Sequence, residues 1–437
     1  MKRVRFSLVV GLMMLLILGA NPLFAQDLEA RLRALEGVVE VQALPSGEFE
    51  QKFEVMLRQP LDHQNPEAGE FLQRVVVMHA GEDRPTMLIT QGYGAGFALR
   101  EQYREEVSRL FNTNMVFVEH RYFDRSMPEN PDWSYLTAEN SAHDLHRIKS
   151  LFAELYTGKW IASGISKGGT TTMLYATFYP NDVDIYIPYV GPVCSSREDR
   201  RFAKFFDQLG TPELHERMKA YQREMLLRRD RLMPYFEAYC TQEKFTFRLP
   251  LIEIYDYTVL EYSFSFWQWG MTLEDIPSAE ASDQELLGHL LRYVGPEYFA
   301  IESSNSSFFV QAAKELGYYP YDIRPFKKLL SIRSSKDYLR RIFLPEELAH
   351  VKFDRTLYRK MTRYLKRNDP QMILIYGEYD PWTAPGATWV ANYKKENMHL
   401  FIDPEGSHRA RILTLEEADQ ARAIALLAKW LELDPVE

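Results

Sequence analysis

The sequence has few cysteines, no excess of basic residues and only one long apolar run. Two cysteines among 437 residues, Cys194 and Cys240, are too few for a metal cluster or a disulfide scaffold. They could pair in an oxidising compartment or remain buried thiols, and both possibilities stay open because pairing depends on the Cα separation. The net charge of −9 argues against nucleic acid or an anionic membrane surface as a partner.

The single long apolar run lies at the amino terminus. Three basic residues within positions 1–6 precede an apolar segment over residues 7–20, and the small residue Ala25 follows. This order is typical of a secretory signal peptide, and the run is shorter than the ~20 residues that a membrane-spanning helix needs. We therefore assign residues 1–25 to a signal peptide. Their removal leaves a secreted or periplasmic protein of 412 residues, with net charge −12 and no membrane anchor.

From residue 49 onward, β-like runs alternate with amphipathic helical runs. Predicted strands cover residues 49–57, 72–80, 86–90, 115–119, 160–164, 185–190, 372–376 and 399–402. Predicted helices cover residues 99–110, 141–155, 170–178 and 415–431. Strand followed by helix, repeated, predicts an α/β fold with a mostly parallel sheet covered on both faces. The first two strands are expected to form an antiparallel hairpin at one edge of the sheet.

One long stretch, residues 194–370, interrupts this alternation with helical segments. Twelve of the 35 residues from 235 to 269 are aromatic. They could simply pack a helical subdomain, or they could also cover a binding site. We predict one core in two parts, residues 26–193 and 371–437, with residues 194–370 inserted between them as a helical cap.

The sharpest local motif is Gly164-Ile165-Ser166-Lys167-Gly168, between a predicted strand and a predicted helix. This is the G-x-S-x-G pattern of a nucleophile elbow in the strand-turn-helix setting that the pattern requires. Small residues are needed there because the turn is so tight that side chains would collide with the neighbouring strand and helix. We predict that Ser166 is a catalytic nucleophile.

A serine hydroxyl needs a histidine to take its proton and an acid to orient that histidine. Asp380 follows the predicted strand 372–376, and His408 lies in a glycine-containing loop after the strand 399–402. The order serine, acid, histidine, each in a loop after a strand, fits an elbow-type hydrolase. Asp380 and His408 are therefore the predicted partners, and Glu378 and Glu405 are the nearest rivals of Asp380.

Acyl transfer also requires hydrogen-bond donors for the developing oxyanion. The backbone N–H of Lys167 is one candidate, because it follows the nucleophile at the start of a helix. The backbone N–H of Tyr93, in the glycine-rich loop 90–96 after the strand 86–90, is the other. Since a helix start disfavours a cation, we expect the Lys167 side chain to pair with a carboxylate.

Several separated segments resemble the secreted bacterial prolyl tri/tetrapeptidyl aminopeptidases and, more distantly, the lysosomal prolyl carboxypeptidase and dipeptidyl peptidase group. They are GISKGG at 164–169, VEHRYF at 118–123, DWSYLT at 132–137, YPNDVD at 179–184, QPLDH at 59–63 and YGEYDPW at 376–382. The resemblance spans nearly the whole chain and is weakest in the cap. It implies an α/β-hydrolase core with a helical cap, a triad of Ser166, Asp380 and His408, and removal of short N-terminal peptides with proline before the cleaved bond.

Such an aminopeptidase must bind a free ammonium group, which calls for carboxylates. Glu119 and Glu302 are the candidates, although Glu119 could equally belong to a buried ion-pair network with its neighbours. Trp382, close after Asp380, is a third candidate for substrate binding, since a proline pocket needs aromatic and aliphatic walls.

The function predicted from these features is a secreted serine exopeptidase that acts on peptide substrates without metal or cofactor. An esterase or lipase remains an alternative, because a triad and an elbow do not distinguish an ester from an amide. A non-catalytic peptide-binding protein on a hydrolase scaffold is another. The sequence indicates neither the oligomeric state nor the length of the released peptide.

Overall fold

The computed structural model describes residues 22–303 and 305–436, with side chains from residue 28 onward. The signal peptide predicted for residues 1–25 therefore lies mostly outside the described residues. No helix in the described part of the chain is long and apolar enough to cross a membrane.

Nine strands of the described chain form one sheet in the order β1-β2-β3-β5-β4-β6-β7-β8-β9. The strands are β1 (Val38–Ala43), β2 (Gln51–Pro60), β3 (Glu70–His79), β4 (Thr86–Thr90), β5 (Asn114–Val118), β6 (Trp160–Ile165), β7 (Ile185–Tyr189), β8 (Met372–Gly377) and β9 (Met398–Asp403). Pairings β1–β2, β2–β3 and β3–β5 are antiparallel, and all the others are parallel. Because parallel strands share one carboxyl edge, the loops after β4, β6, β8 and β9 meet there.

Thirteen α-helices are present among the described residues. They are α1 (Pro22–Ala34), α2 (Glu106–Phe111), α3 (Ala138–Phe152), α4 (Lys167–Phe178), α5 (Arg201–Phe206), α6 (Pro212–Leu227), α7 (Arg229–Gln242), α8 (Leu251–Trp269), α9 (Asp283–Tyr293), α10 (Ser306–Gln311), α11 (Tyr338–Phe343), α12 (Thr356–Arg367) and α13 (Glu417–Leu431).

Helices cover both faces of the sheet, and the strand side chains alternate between them. Val75 and Val77 of β3 join one buried cluster with α3, α4 and α12. Val76 and Met78 join a second buried cluster with α2 and α13 on the opposite face. This period of two follows from the pleat of a strand. The predicted α/β-hydrolase fold is confirmed by the sheet order and by the two helical layers.

All eight predicted strands are present, with ends that differ by at most three residues. The prediction missed β1, of which only Val41 is buried, so it lacks the apolar alternation of a half-buried strand. As a result β1, and not β2, forms the edge. The predicted helix 99–110 begins only at Glu106.

Between β7 and β8 the described residues form helices α5 to α12 and contribute no strand to the sheet. A third and largest buried cluster lies under these helices and also includes Tyr122 and Trp382 from the loops of the sheet. The bounds of a separate cap at residues 194–370 stay a prediction. Cys194 and Cys240 are both buried and free, so the alternative of two buried thiols is correct.

Candidate active site

Ser166 lies at the sharp turn between β6 and α4. Its backbone has φ 61° and ψ −123°, a region that residues with a side chain rarely occupy. The Ser166 N–H donates a hydrogen bond of 2.9 Å to the Tyr189 carbonyl of β7, which ties the turn to the sheet. The strand-turn-helix geometry expected of a nucleophile elbow is therefore present at this serine.

The glycines around Ser166 are required by close approach of backbones. A Cβ atom on Gly164 would lie 2.4 Å from the Gly168 carbonyl oxygen and 2.7 Å from that of Thr90. A Cβ atom on Gly169 would lie 2.5 Å from the Tyr189 carbonyl oxygen. Rigid backbone atoms cannot yield at these positions, which explains the glycine pattern that the sequence shows.

Asp380 and His408 meet at the carboxyl edge of β8 and β9. Nδ1 of His408 lies 2.7 Å from Oδ2 of Asp380, and the second oxygen of Asp380 accepts the Trp382 N–H at 3.1 Å. Asp380 is fully buried and His408 is 7% exposed. An ionised carboxylate only accepts, so Nδ1 donates and Nε2 is left as the free basic nitrogen.

Ser166 and His408 line the same cavity of about 550 Å³. Among the described residues, no hydrogen bond joins their side chains. Such contacts are often long before substrate binds, because they tighten only in the substrate complex. The structure thus brings the three predicted triad residues to one edge of the sheet and directly joins two of them.

The two predicted oxyanion donors lie beside the nucleophile. Tyr93 and Lys167 both line a small recess next to Ser166. In the described part of the chain, neither backbone N–H donates to a protein acceptor, so both are available to a ligand. The two loops touch at Gly92, where a Cβ atom would lie 2.8 Å from the Gly168 nitrogen.

The expectation that the Lys167 side chain pairs with a carboxylate is wrong. Nζ of Lys167 donates to the Gly92 carbonyl oxygen at 2.5 Å, and no acidic side chain forms an ion pair with it among the described residues. Burial lowers the pKa of this amine well below its usual value, and Glu315 opposes the shift only at longer range. The buried amine of Lys167 therefore has a backbone carbonyl as its hydrogen-bond acceptor instead of a carboxylate.

Glu119 does not line the cavity. Its carboxylate accepts from Arg74, from the Ala95 N–H at 2.7 Å and from the Ser126 hydroxyl at 2.9 Å. Burial raises the pKa of Glu119, and the hydrogen bonds from Arg74 and Ala95 oppose that rise. The alternative of a buried ion-pair network is the one that the geometry supports, since no free oxygen faces a substrate.

Glu302 is exposed, accepts hydrogen bonds from the Thr246 N–H and hydroxyl, and also lies outside the cavity. Trp382 lines both the cavity and the recess beside Ser166, and its role in substrate binding stays a prediction. Phe308, Leu316 and Pro192 complete the apolar wall of that recess.

Glu261, on α8, is a cavity residue that sequence reasoning missed. It is 5% exposed and accepts from the hydroxyls of Tyr319 at 2.8 Å and Tyr321 at 2.6 Å. Burial raises the pKa of its carboxyl to about 7, and these hydrogen bonds partly offset the rise. No signal in the sequence pointed to it, because Glu261 is one of five acidic residues in the aromatic run 235–269 and a surface position explains such a residue equally well.

Comparison with known proteins agrees with these features. The model of the PS-10 peptidase S37 family matches residues 20–437 of the chain. A prolyl tri/tetrapeptidyl aminopeptidase of Streptomyces mobaraensis is 28% identical over 459 residues, which cover 100% of this chain and 93% of that protein. A probable serine protease of Arabidopsis thaliana is 25% identical over 179 residues, or 36% of this chain and 35% of that protein.

Among solved structures, a peroxisomal α/β-hydrolase of Saccharomyces cerevisiae is 12% identical and covers 90% of this chain and 92% of its own, with a TM-score of 0.40. The fold assignment therefore rests on the sheet order described above. The family model extends over nearly the entire chain, including the elbow and both loops at the carboxyl edge. The chain belongs to the PS-10 peptidase S37 family and is a serine peptidase.

Proposed function

We propose that this peptidase removes peptides of three or four residues from free N-termini, with a preference for proline before the cleaved bond. The observation that carries the proposal is one cavity lined by Ser166, His408 and the buried carboxylate of Glu261. The similarity over the full length to the prolyl tri/tetrapeptidyl aminopeptidase of Streptomyces mobaraensis supports it. Family membership favours the peptidase over the esterase and the non-catalytic binding protein.

In the proposed mechanism, Oγ of Ser166 attacks the scissile carbonyl carbon while Nε2 of His408 takes its proton. Asp380 holds the imidazole in the tautomer that makes this possible. The N–H groups of Tyr93 and Lys167 stabilise the oxyanion. His408 then protonates the leaving amine as the C–N bond breaks. In the second step water attacks the acyl-enzyme, His408 takes a proton from the water, and it returns a proton to Oγ of Ser166 as the ester bond breaks.

The recess beside Ser166 is the proposed site for proline. Its walls are the apolar and aromatic side chains of Phe308, Leu316, Pro192 and Trp382. A proline ring is compact, carries no amide hydrogen and needs no polar partner, so apolar walls match it. A polar or charged side chain would leave an unsatisfied polar group against these apolar walls.

Glu261 is the proposed anchor for the substrate ammonium, in place of Glu119 and Glu302. Its oxygens lie at the cavity wall and are held by two tyrosine hydroxyls, so the carboxylate is fixed in position. Glu297, exposed and on the same cavity, adds a second negative charge. The helices of residues 194–370 supply both groups and are proposed to act as the cap that limits how far the N-terminal side of the substrate extends.

Export is the final part of the proposal. It is supported by the basic and apolar order of residues 1–25.

The test compares the wild type with Ser166→Ala and Glu261→Gln on a peptide library that carries proline at positions two to five. Half of the library has free N-termini and half has acetylated ones, and mass spectrometry identifies the products. We expect the wild type to release tri- or tetrapeptides ending in proline from free N-termini only. Ser166→Ala should lose about 10³-fold or more in kcat/KM.

Glu261→Gln should raise KM for free N-termini about tenfold or more, because a charge-assisted hydrogen bond is lost. Its reaction with a serine-directed fluorophosphonate should stay unchanged, which serves as the control for an intact nucleophile. Equal cleavage of acetylated and free peptides would disprove the exopeptidase assignment, and full activity of Ser166→Ala would disprove the mechanism.

A further inference from the structure

Lys167 is a buried cation-forming side chain directly after the nucleophile. It is 3% exposed, and its Nζ lies 5.6 Å from the ring centre of Tyr93 and 5.2 Å from that of Phe123. Burying an amine is costly unless it makes a specific contact. The one hydrogen bond it donates among the described residues is to the Gly92 carbonyl oxygen, at 2.5 Å.

That carbonyl belongs to the same peptide group as the Tyr93 N–H. A peptide group is planar and trans, so its carbonyl and its N–H point in opposite directions. A donor that fixes the carbonyl of Gly92 therefore also fixes the direction of the Tyr93 N–H. This N–H makes no hydrogen bond to protein in the described part of the chain and is the second proposed oxyanion donor.

The loop after β4 and the start of α4 are packed in direct contact. A Cβ atom on Gly92 would lie 2.7 Å from both Cβ and Cγ of Lys167, so the lysine stem runs directly past this glycine. Thr90 and Gly168 also meet here, with 2.9 Å between the Thr90 oxygen and a Cβ atom built on Gly168. The lysine side chain is thus the bridge between the loop after β4 and the start of α4.

We propose that Lys167 is a positioning residue for the oxyanion hole. Its main-chain N–H is one donor, and its side chain orients the Gly92–Tyr93 peptide that supplies the other. The inference rests on the proposed acyl-transfer function. Either charge state of the amine can donate to the carbonyl, so the role does not depend on protonation. Loss of one oxyanion donor lowers kcat by about 10²-fold or more, while ground-state binding is largely retained.

The test replaces the side chain and keeps the main-chain N–H, in Lys167→Met and Lys167→Gln. Methionine has a similar length but no donor, and glutamine carries its donor one bond closer to the main chain. We expect kcat on a proline-containing peptide to fall at least tenfold, with KM within threefold of the wild type. Affinity for a prolyl boronate, whose tetrahedral adduct places an oxygen in the hole, should fall with kcat. Affinity for the released product peptide should not.

Lys52→Met is the matched control. Lys52 is 2% exposed and also donates to a backbone carbonyl, that of Arg100 at 2.8 Å, but it lies on β2 away from the cavity. Its kcat should equal that of the wild type even if its thermal stability falls.

An unchanged kcat in either folded Lys167 variant would overturn the inference. So would failure of both Lys167 variants to fold while Lys52→Met folds, because that would assign Lys167 to stability alone. Activity in Ser166→Ala would instead remove the proposed function, which keeps the two failures apart.

Discussion

At the scale of single residues, the three acids considered as partners of His408 differ in burial, since Asp380 is buried whereas Glu378 and Glu405 are exposed. Asp380 has one oxygen 2.7 Å from Nδ1 of His408. Glu378 instead accepts the Glu405 N–H at 2.9 Å and is exposed. The geometry therefore favours Asp380 over Glu378 and Glu405 as the group that orients the imidazole.

Asp380→Asn should lower kcat by roughly 10³- to 10⁴-fold, because an amide stabilises the wrong histidine tautomer and no longer balances the imidazolium. Steady-state kinetics on a proline-containing peptide measures this loss, and the thermal transition checks folding. Glu378→Gln, two residues away, is the matched control and should keep kcat within about threefold. A large loss of kcat in Glu378→Gln combined with little loss in Asp380→Asn would show that Asp380 is not the acid that orients His408.

Ser166, Asp380 and His408 could be predicted because each sits in a loop whose place after a strand is visible locally. Glu261 could not, because its position depends on how α8 packs against the tyrosines that hold it. The same limit explains Lys167. Its place at a helix start predicted a carboxylate partner, which was wrong, because only the folded loop after β4 places the Gly92 carbonyl within reach.

At the scale of elements, the elbow depends on β6 and α4 approaching each other more closely than side chains allow. Gly164 sits where a Cβ atom would meet two backbone oxygens at 2.4 Å and 2.7 Å. Gly288, in contrast, lies on the exposed side of α9, with no atom within 4 Å of a built Cβ atom. Alanine should therefore be tolerated at Gly288 but not at Gly164.

Gly164→Ala should destabilise the protein by at least about 2 kcal/mol, because the clash is with backbone that cannot move aside. Gly288→Ala should stabilise it by about 0.5–1 kcal/mol, since alanine is the better residue inside a helix. Urea denaturation of both variants measures the two free energies. Equal effects of the two substitutions would contradict the packing argument.

A second element-level feature joins the helical insertion to the catalytic loop. The Gln268 carbonyl, at the end of α8, accepts the His408 N–H at 3.0 Å. Gly270 ends that helix with φ 69°, and a Cβ atom there would lie 3.1 Å from the Ser407 side chain. Helix α8 therefore supports the histidine loop as well as supplying Glu261 to the cavity.

At the scale of the whole molecule, burial of Glu261 beside Tyr319 and Tyr321 links stability to pH. Its pKa is raised from 4.5 to about 7, mainly by burial. Between these two values the folded state binds more protons than the unfolded state, so the free energy of unfolding falls as pH rises through this window. Above pH 7 the effect levels off.

Glu261→Gln removes this dependence, because the amide does not titrate. We expect the stability of the variant relative to the wild type to increase by about 2–3 kcal/mol between pH 5 and pH 8. Chemical denaturation at several pH values across that range measures it. Glu302→Gln is the control, since Glu302 is exposed and its pKa is lowered by hydrogen bonds from Thr246. Glu302 is therefore ionised in both the folded and the unfolded state across this range, and the relative stability of Glu302→Gln should change little with pH. If the stability of Glu261→Gln relative to the wild type did not change with pH, the pKa of the Glu261 carboxyl would not be raised by folding.

The sequence by itself determined the fold class, eight of the nine described strands and the identity of the three proposed triad residues. These depend on local patterns: the periodicity of buried side chains, glycines at a tight turn and loops that follow strands. Only the tertiary structure decided that Glu119 belongs to a buried ion network, that Glu261 faces the cavity and that Lys167 holds the Gly92 carbonyl. Those outcomes depend on contacts between residues far apart in the chain, and no local pattern encodes such distances.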